Sequence, residues 1–156
     1  MIPCGLYVLT AEDDEGRISG ATVNWVTQTS FQPPLVAVGV KRDSLIHDII
    51  KTSGRFALNV LGKDQQGVAY AFFKPVQREG DTLGEEAFHQ GVKGCPLLDN
   101  APSYVECTLV DSLEKGDHSL FVGEAVDAGV NQDPEGRADE ATLWLRDLGE
   151  KIFYGG

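Results

Sequence analysis

The chain lacks the marks of most metal, nucleotide and nucleic-acid chemistries. Its three cysteines, Cys4, Cys95 and Cys107, form no C-x-x-C pair. Zinc ribbons, iron–sulfur ligation and dithiol redox work therefore have no basis in the spacing, and reduced structural thiols are the expected state. Histidine is as sparse: His47, His89 and His118 lie far apart, and no usual metal-ligand spacing occurs. Among 18 glycines there is neither G-x-G-x-x-G nor G-x-x-x-x-G-K-[ST], which argues against a Rossmann domain or a P-loop. A G-x-S-x-G elbow is missing too, so an acyl-transfer triad has no motif to support it. Positive charge is scarce, with 13 Lys and Arg against 24 Asp and Glu and a net charge of −11 at pH 7. Such a surface repels phosphate backbones, so nucleic acid is not an expected partner. No apolar run approaches the roughly 20 residues that cross a bilayer. The opening Met1-Ile2-Pro3 leads almost directly into an apolar strand rather than a signal peptide, so a cytoplasmic location and no membrane partner are expected.

At 156 residues and 42% hydrophobic content, one soluble domain with a sizeable core is expected. Residues 6–10 read as a strand, 12–16 as an acidic turn, and 18–25 as a second strand folding back as a hairpin. Residues 35–40 are apolar throughout, which predicts a strand buried on both faces. Ser44 has the place of an N-cap, and Leu45, Ile46, Ile49 and Ile50 give the stripe of a short amphipathic helix. Residues 56–61 form another strand. Asp64 is placed to cap a second helix running to Phe73, with Val68, Ala69, Phe72 and Phe73 inward and Pro75 ending it. Residues 77–100 are polar and poorly periodic, as in a lid or binding loop. Residues 104–110 and 120–130 form a hairpin across the turn at 114–117, and 142–146 form a last short strand. Many strands with few crossover helices suit an antiparallel barrel better than a parallel sheet.

Some residues stand out against this frame. The stretch from 21 to 40 opens with Thr22, Asn24, Thr27, Gln28, Thr29 and Ser30, then meets Pro33-Pro34 and a rigid strand. Two readings stay open for it: side chains and backbone gripping the polar edge of a flat heteroaromatic ring, or an exposed strand and turn whose hydroxyls satisfy their own backbone. Trp25 within it is expected in the core rather than as a stacking platform. Lys41 and Arg42 lead into the helix start at Ser44, an arrangement suited to a phosphate, with His47 close enough to join or to sit exposed. His118 emerges from a turn onto a strand, where an imidazole can face a cleft or simply serve the fold. Lys74 and Arg78 follow the second helix. The aromatic pair Phe153-Tyr154 either packs on the barrel or approaches a ligand.

Together, TVNWVTQTSFQPPLVAVGV, KRDSLIHDII, GRFALNVL, the PLL with a later Cys107, and GDHSLFVGEAVDA resemble the flavin reductase-like family in order and spacing over nearly the whole chain. The PCGLYVLTA start and LRDLGEKIFYGG end are most similar to a subgroup of stand-alone or flavodiiron- and rubredoxin-fused domains. The resemblance implies a mainly β fold with short helices, the antiparallel FMN-binding split β-barrel, assembled as a homodimer. It implies FMN (or FAD) as cofactor, NAD(P)H as electron donor, and NAD(P)H:flavin oxidoreduction as the activity. Carried onto this chain, Asn24, Trp25, Val26, Thr27, Gln28, Thr29 and Ser30 line the isoalloxazine. Lys41, Arg42, Ser44 and His47 hold the phosphate, with Lys74 and Tyr154 as further contacts. His118 lies near the nicotinamide or flavin as the catalytic histidine. The rival reading is a non-enzymatic FMN electron carrier whose acidic surface docks a basic protein redox partner. A barrel that has lost its flavin and serves only for interaction is a third.

Overall fold

The computed structural model describes residues 2–153. Strands β1 (Tyr7–Glu12) and β2 (Ile18–Val23) form the expected hairpin. Its turn is fixed by Asp13, whose carboxylate accepts the N–H groups of Glu15 and Arg17 and pairs with the Arg17 guanidinium at 2.7 Å. The chain breaks at Asn24-Trp25 and resumes as β3 (Val26–Phe31), which turns at Gln32-Pro33 into β4 (Pro34–Lys41). Helix α1 (Leu45–Ser53) follows, capped by Ser44 at its start and by Gly54 in the left-handed region (φ 68°) at its end. Next come β5 (Arg55–Val60) and α2 (Gln66–Ala71). Four short strands succeed them: β6 (Arg78–Glu79), β7 (Thr82–Leu83), β8 (Glu86–Gln90) and β9 (Pro96–Leu98). The long hairpin of β10 (Ser103–Leu113) and β11 (His118–Val130) completes the sheets. A single helical turn, α3 (Ala138–Ala141), and a 3₁₀ turn (Leu145–Leu148) lie beyond it.

Seven strands make one antiparallel sheet in the order β2-β1-β5-β10-β11-β4-β3. It curls without closing, leaving β2 and β3 as edges: a split barrel. Alternation along each strand sends one set of side chains to the concave side and the other to the convex side. Leu9, Ala11, Val38, Val40, Phe56, Leu58, Cys107 and Phe121 face inward and close around Ile46, Ile49 and Ile50 of α1. A nine-residue helix is too short to persist alone, so this burial, about 1.5–3 kcal/mol per isoleucine, is what holds α1 in place. On the convex side, Leu6, Val8 and Leu61 pack with Val68, Ala69, Phe72, Leu83, Phe88 and Leu98 of α2 and the small sheet. That layer covers β2, β1, β5 and the start of β10. The convex face of β11, β4 and β3 stays open, with Leu113 and Leu120 exposed as a cross-strand pair.

Several expectations need correcting. Residues 77–100 are not irregular; they form the four-stranded sheet β6-β7-β8-β9, and only two-residue strands at its start hid the pairing. Asp64 does not cap α2, which starts after Gln65 without a side-chain cap. Gln65 is committed elsewhere, accepting the Gly62 N–H and donating to the Asn100 carbonyl. Phe73 lies past the helix and is partly exposed, leaving Phe72 as the inward ring. Residues 142–146 make isolated bridges, Thr142 to Gly62 and Trp144 to Gly5, before the 3₁₀ turn. β4 is buried on both faces at its middle, with Val38 and Val40 on the concave side and Ala37 on the convex side, but Leu35 and Val36 are only half-buried. Among the described residues, no helix is long and apolar enough to cross a membrane.

Two buried polar groups join the layers. Asn59, fully buried on β5, donates its amide to the Val8 carbonyl (3.0 Å) and Thr10 Oγ1 (3.1 Å), while its oxygen accepts the Leu98 N–H (2.8 Å). Thr10 Oγ1 in turn donates to the Pro96 carbonyl. Glu106, equally buried, accepts N–H bonds from Lys93 and Cys95 and so fixes the loop before β9. Burial, and the Glu106 carboxylate second, pushes the Cys107 thiol up to about 12 and the Cys95 thiol higher still, which keeps both protonated and inert. Asn59→Ala leaves the Leu98 N–H unpaired in the interior and takes a second donor from the Val8 carbonyl and one from Thr10 Oγ1. Such an orphan costs about 1–3 kcal/mol, so a clearly lowered urea midpoint with an unchanged slope is the expected result of equilibrium unfolding.

Candidate functional site

The candidate site gathers where β4 ends, α1 begins and β11 begins. Antiparallel pairing of β4 with β11 sets Lys41 directly opposite His118. The intervening turn is clipped to the β10–β11 turn: the Arg42 N–H donates to the Asp117 carbonyl at 3.0 Å and its guanidinium to the Gly116 carbonyl at 3.4 Å. Ser44 has extended backbone; its Oγ donates to the Lys41 carbonyl (2.6 Å) and accepts the His47 N–H (3.4 Å). The capping inferred from sequence is thus present. Lys41 Nζ lies 3.2 Å from Asp43 Oδ1, an exposed pair of the kind worth little and readily outcompeted by a doubly charged anion. Lys41, Arg42 and the α1 N-terminus, with its positive dipole end, therefore share one exposed corner.

His47 does not reach this corner with its ring. Its side chain sits on the buried stripe between Ile46 and Ile50, with Nε2 2.8 Å from Ser119 Oγ and its ring 4.9 Å from that of Phe121. Only its backbone N–H takes part in the helix start. Lys74 lies exposed just beyond α2, whose end meets β2 where the Thr22 N–H donates to the Phe72 carbonyl. The structure therefore brings Lys41, Arg42, Ser44 and His118 together, without the His47 imidazole. Tyr154 lies outside the described residues.

The strip from 22 to 30 divides. Thr22 belongs to the fold, donating to the Ala69 carbonyl at 2.7 Å. Asn24 is 4% exposed and its Oδ1 is a buried acceptor with no hydrogen-bond partner. Thr27, Gln28 and Thr29 are exposed on β3, with Val26 and Ser30 half-buried. Two of the hydroxyls make long bonds to nearby carbonyls, Thr27 to Gln28 (3.3 Å) and Thr29 to Leu35 (3.4 Å), so the wet-strand reading is partly right. Yet β3 is an edge strand, and one row of its backbone N–H and C=O groups faces outward. A slipped register between Gln28 and Ser30 sets Thr29 out of the ladder. Trp25 is not core, as expected, but 47% exposed: it falls on the uncovered convex face, against His118. His118 Nδ1 lies 2.9 Å from Asp117 Oδ1, and that hydrogen bond holds the Asp117 carboxyl below the usual carboxylate range.

Beside β3 the open mouth of the barrel forms a groove of about 540 Å³, with Val26, Gln28 and Val36 on one wall and Tyr7, Leu58 and Val105 on the other. A second cavity, about 510 Å³, lies between the ends of β5 and β11 and residues 132–142, and none of the candidate site residues lines it. Ser119 and Gly39 were missed by the sequence reading. Each is a small residue whose place shows only once the β4–β11 register is known. Chemically, the arrangement offers an anion corner and an imidazole where β4 ends and β11 begins, a polar strand edge at β3, and an apolar groove on the concave side. That set suits a planar ring carrying a phosphate.

Comparison with known proteins agrees. The flavin reductase like domain family matches residues 1–147. The NADH-dependent flavin reductase StyB of Pseudomonas fluorescens is 34% identical over 141 residues, 90% of this chain and 78% of its own. A probable flavin reductase of Rhizobium meliloti (strain 1021) is 33% identical over 130 residues, 81% of this chain. Some relatives are much longer: this chain spans 41% and 51% of the length of two of them. Among solved structures, the styrene monooxygenase flavin reductase of Pseudomonas putida S12 superposes with a TM-score of 0.72 at 32% identity, covering 84% of this chain and 83% of that one. The fold, the site's composition and these matches together place the chain in the flavin reductase-like domain family.

Proposed function

We propose that this chain binds FMN and catalyses its reduction by NAD(P)H. The observation that carries the reading is the convergence of Lys41, the capped start of α1 and His118 on one exposed corner beside the outward edge of β3. Family membership and the printed activity of StyB support it. FMN, when bound, supplies the hydride-accepting ring and passes its electrons onward. Lys41, Arg42 and the α1 N–H groups hold its phosphate. The edge of β3 from Val26 to Ser30 meets the polar rim of its ring, and the buried Asn24 Oδ1 accepts one donor from it. His118 meets the nicotinamide carboxamide and aligns the donor over the acceptor, and holding two reactants in register is the main rate contribution the protein makes. FAD is accommodated by the same phosphate corner.

The open convex face around Leu113 and Leu120 is the surface we assign to homodimer formation, those exposed leucines being its apolar part. The net charge of −11 suits a basic protein partner that takes the reduced flavin or its electrons. A carrier that never meets a nicotinamide is less favoured, since several of the relatives matched, StyB among them, are described as flavin reductases.

Stopped-flow mixing of oxidised holoprotein with NADH and with NADPH tests the activity. Bleaching of the flavin band is expected with at least one donor, and none with either at millimolar concentration would overturn the reductase reading. Lys41→Ala combined with Ser44→Ala should weaken FMN binding about tenfold or more, the loss expected for charge-assisted phosphate bonds; unchanged affinity by fluorescence titration would remove the phosphate assignment. His118→Ala should slow bleaching at least about tenfold while the protein stays yellow. Flavin loss instead would recast His118 as a cofactor ligand.

A further inference from the structure

Trp25 and His118 are in ring contact on the convex face. Trp25 is half exposed, yet it is packed: its indole lies 4.6 Å from the His118 imidazole, with the planes inclined by 56°. Below it is Gly39, where a Cβ would stand 3.0 Å from Trp25 Cε3 and 3.2 Å from Trp25 Cβ. The Gly39 N–H also donates to the Trp25 carbonyl at 2.9 Å, so the seat is fixed by backbone as well as by space. At its edge the imidazole meets Asp117 at 2.9 Å. The His118 side chain is 14% exposed beside an Asp117 side chain that is 93% exposed. A bond to so exposed a carboxylate restrains a ring weakly. The indole contact adds a preferred face and direction.

We propose that Trp25, seated on Gly39, is a positioning residue for His118: the indole fixes the plane of the imidazole, and its remaining exposed face forms the wall against which the nicotinamide ring docks. The proposal rests on the reductase reading. It accounts for a large aromatic left outside the core, and for a glycine in mid-strand with no turn to require it. A side chain at position 39 would lift the indole away from the histidine.

The test uses the Trp144→Phe protein as parent, which leaves Trp25 as the sole tryptophan. A protonated imidazole quenches an adjacent indole. Trp25 emission of the flavin-free protein should therefore fall in a step on acidification, and His118→Ala should abolish that step. In the holoprotein, Trp25→Ala should raise KM for the nicotinamide about tenfold and flatten the His118-dependent limb of the pH–rate profile, with FMN affinity within about twofold of the parent. Trp25→Phe should restore most of the loss. Gly39→Ala, which keeps both side chains but displaces the indole, should reproduce the Trp25→Ala pattern in weaker form. An active parent with no His118-dependent emission step overturns the contact. Unchanged KM and pH profile in Trp25→Ala overturn the positioning role, as does loss of flavin, which would make Trp25 a flavin contact. A parent that oxidises neither NADH nor NADPH overturns the reductase reading and the nicotinamide wall with it, and the emission step then reports the Trp25–His118 contact separately.

Discussion

A slip of one residue between β4 and β11 would turn His118 inward and Ser119 outward, because neighbouring side chains on a strand point to opposite faces. The register that prevents it is held from the concave side. Val38, Val40 and Phe121 are buried there together, and Ser119 meets the His47 ring at 2.8 Å. Every functional assignment on the convex face depends on that buried pairing. Lys41 stands opposite His118 only in this register, and Trp25 finds both Gly39 and His118 only in this register.

Helix α1 therefore serves two ends of one argument. Its inner stripe of Ile46, His47, Ile49 and Ile50 fills the barrel and reaches β11, while its capped first turn opens to solvent beside Lys41. The layer on the other side of the molecule has a different task. Asn59 and Glu106 tie β1, β5 and β10 to the small sheet and its loop through fully used buried groups. Buried side-chain atoms without a hydrogen-bond partner occur in both parts: His47 Nδ1 and Arg55 Nε lie in the barrel's frame, and Asn24 Oδ1 lies beside the strip assigned to the ring.

What was legible in the sequence was local. The β1–β2 and β10–β11 hairpins carry strong strand residues around short turns, and Ser44 precedes an unmistakable helical stripe. His47 could have been placed correctly, since it falls between Ile46 and Ile50 on that same stripe. The small sheet was not legible, because two-residue strands have no periodicity and exist only through their partners. Nor was the place of Trp25: an aromatic's preference for the interior says nothing about which half of a sheet's outer face the rest of the chain leaves bare. The anion corner was readable as residues in order, whereas Gly39 and Ser119 acquire meaning only through pairing across the sheet.

The open edge at β3 has a cost of its own. Its outward backbone groups are a template on which any extended chain could add a strand, and its side chains, Thr27, Gln28 and Thr29, carry no charge to repel one. Pro33 and Pro34 end the edge, but they do not guard its middle. A ring seated along that edge would occupy the groups a foreign strand needs. With the ring placed there, the cofactor would also shield the edge, and flavin-free protein would be the form more prone to add strands.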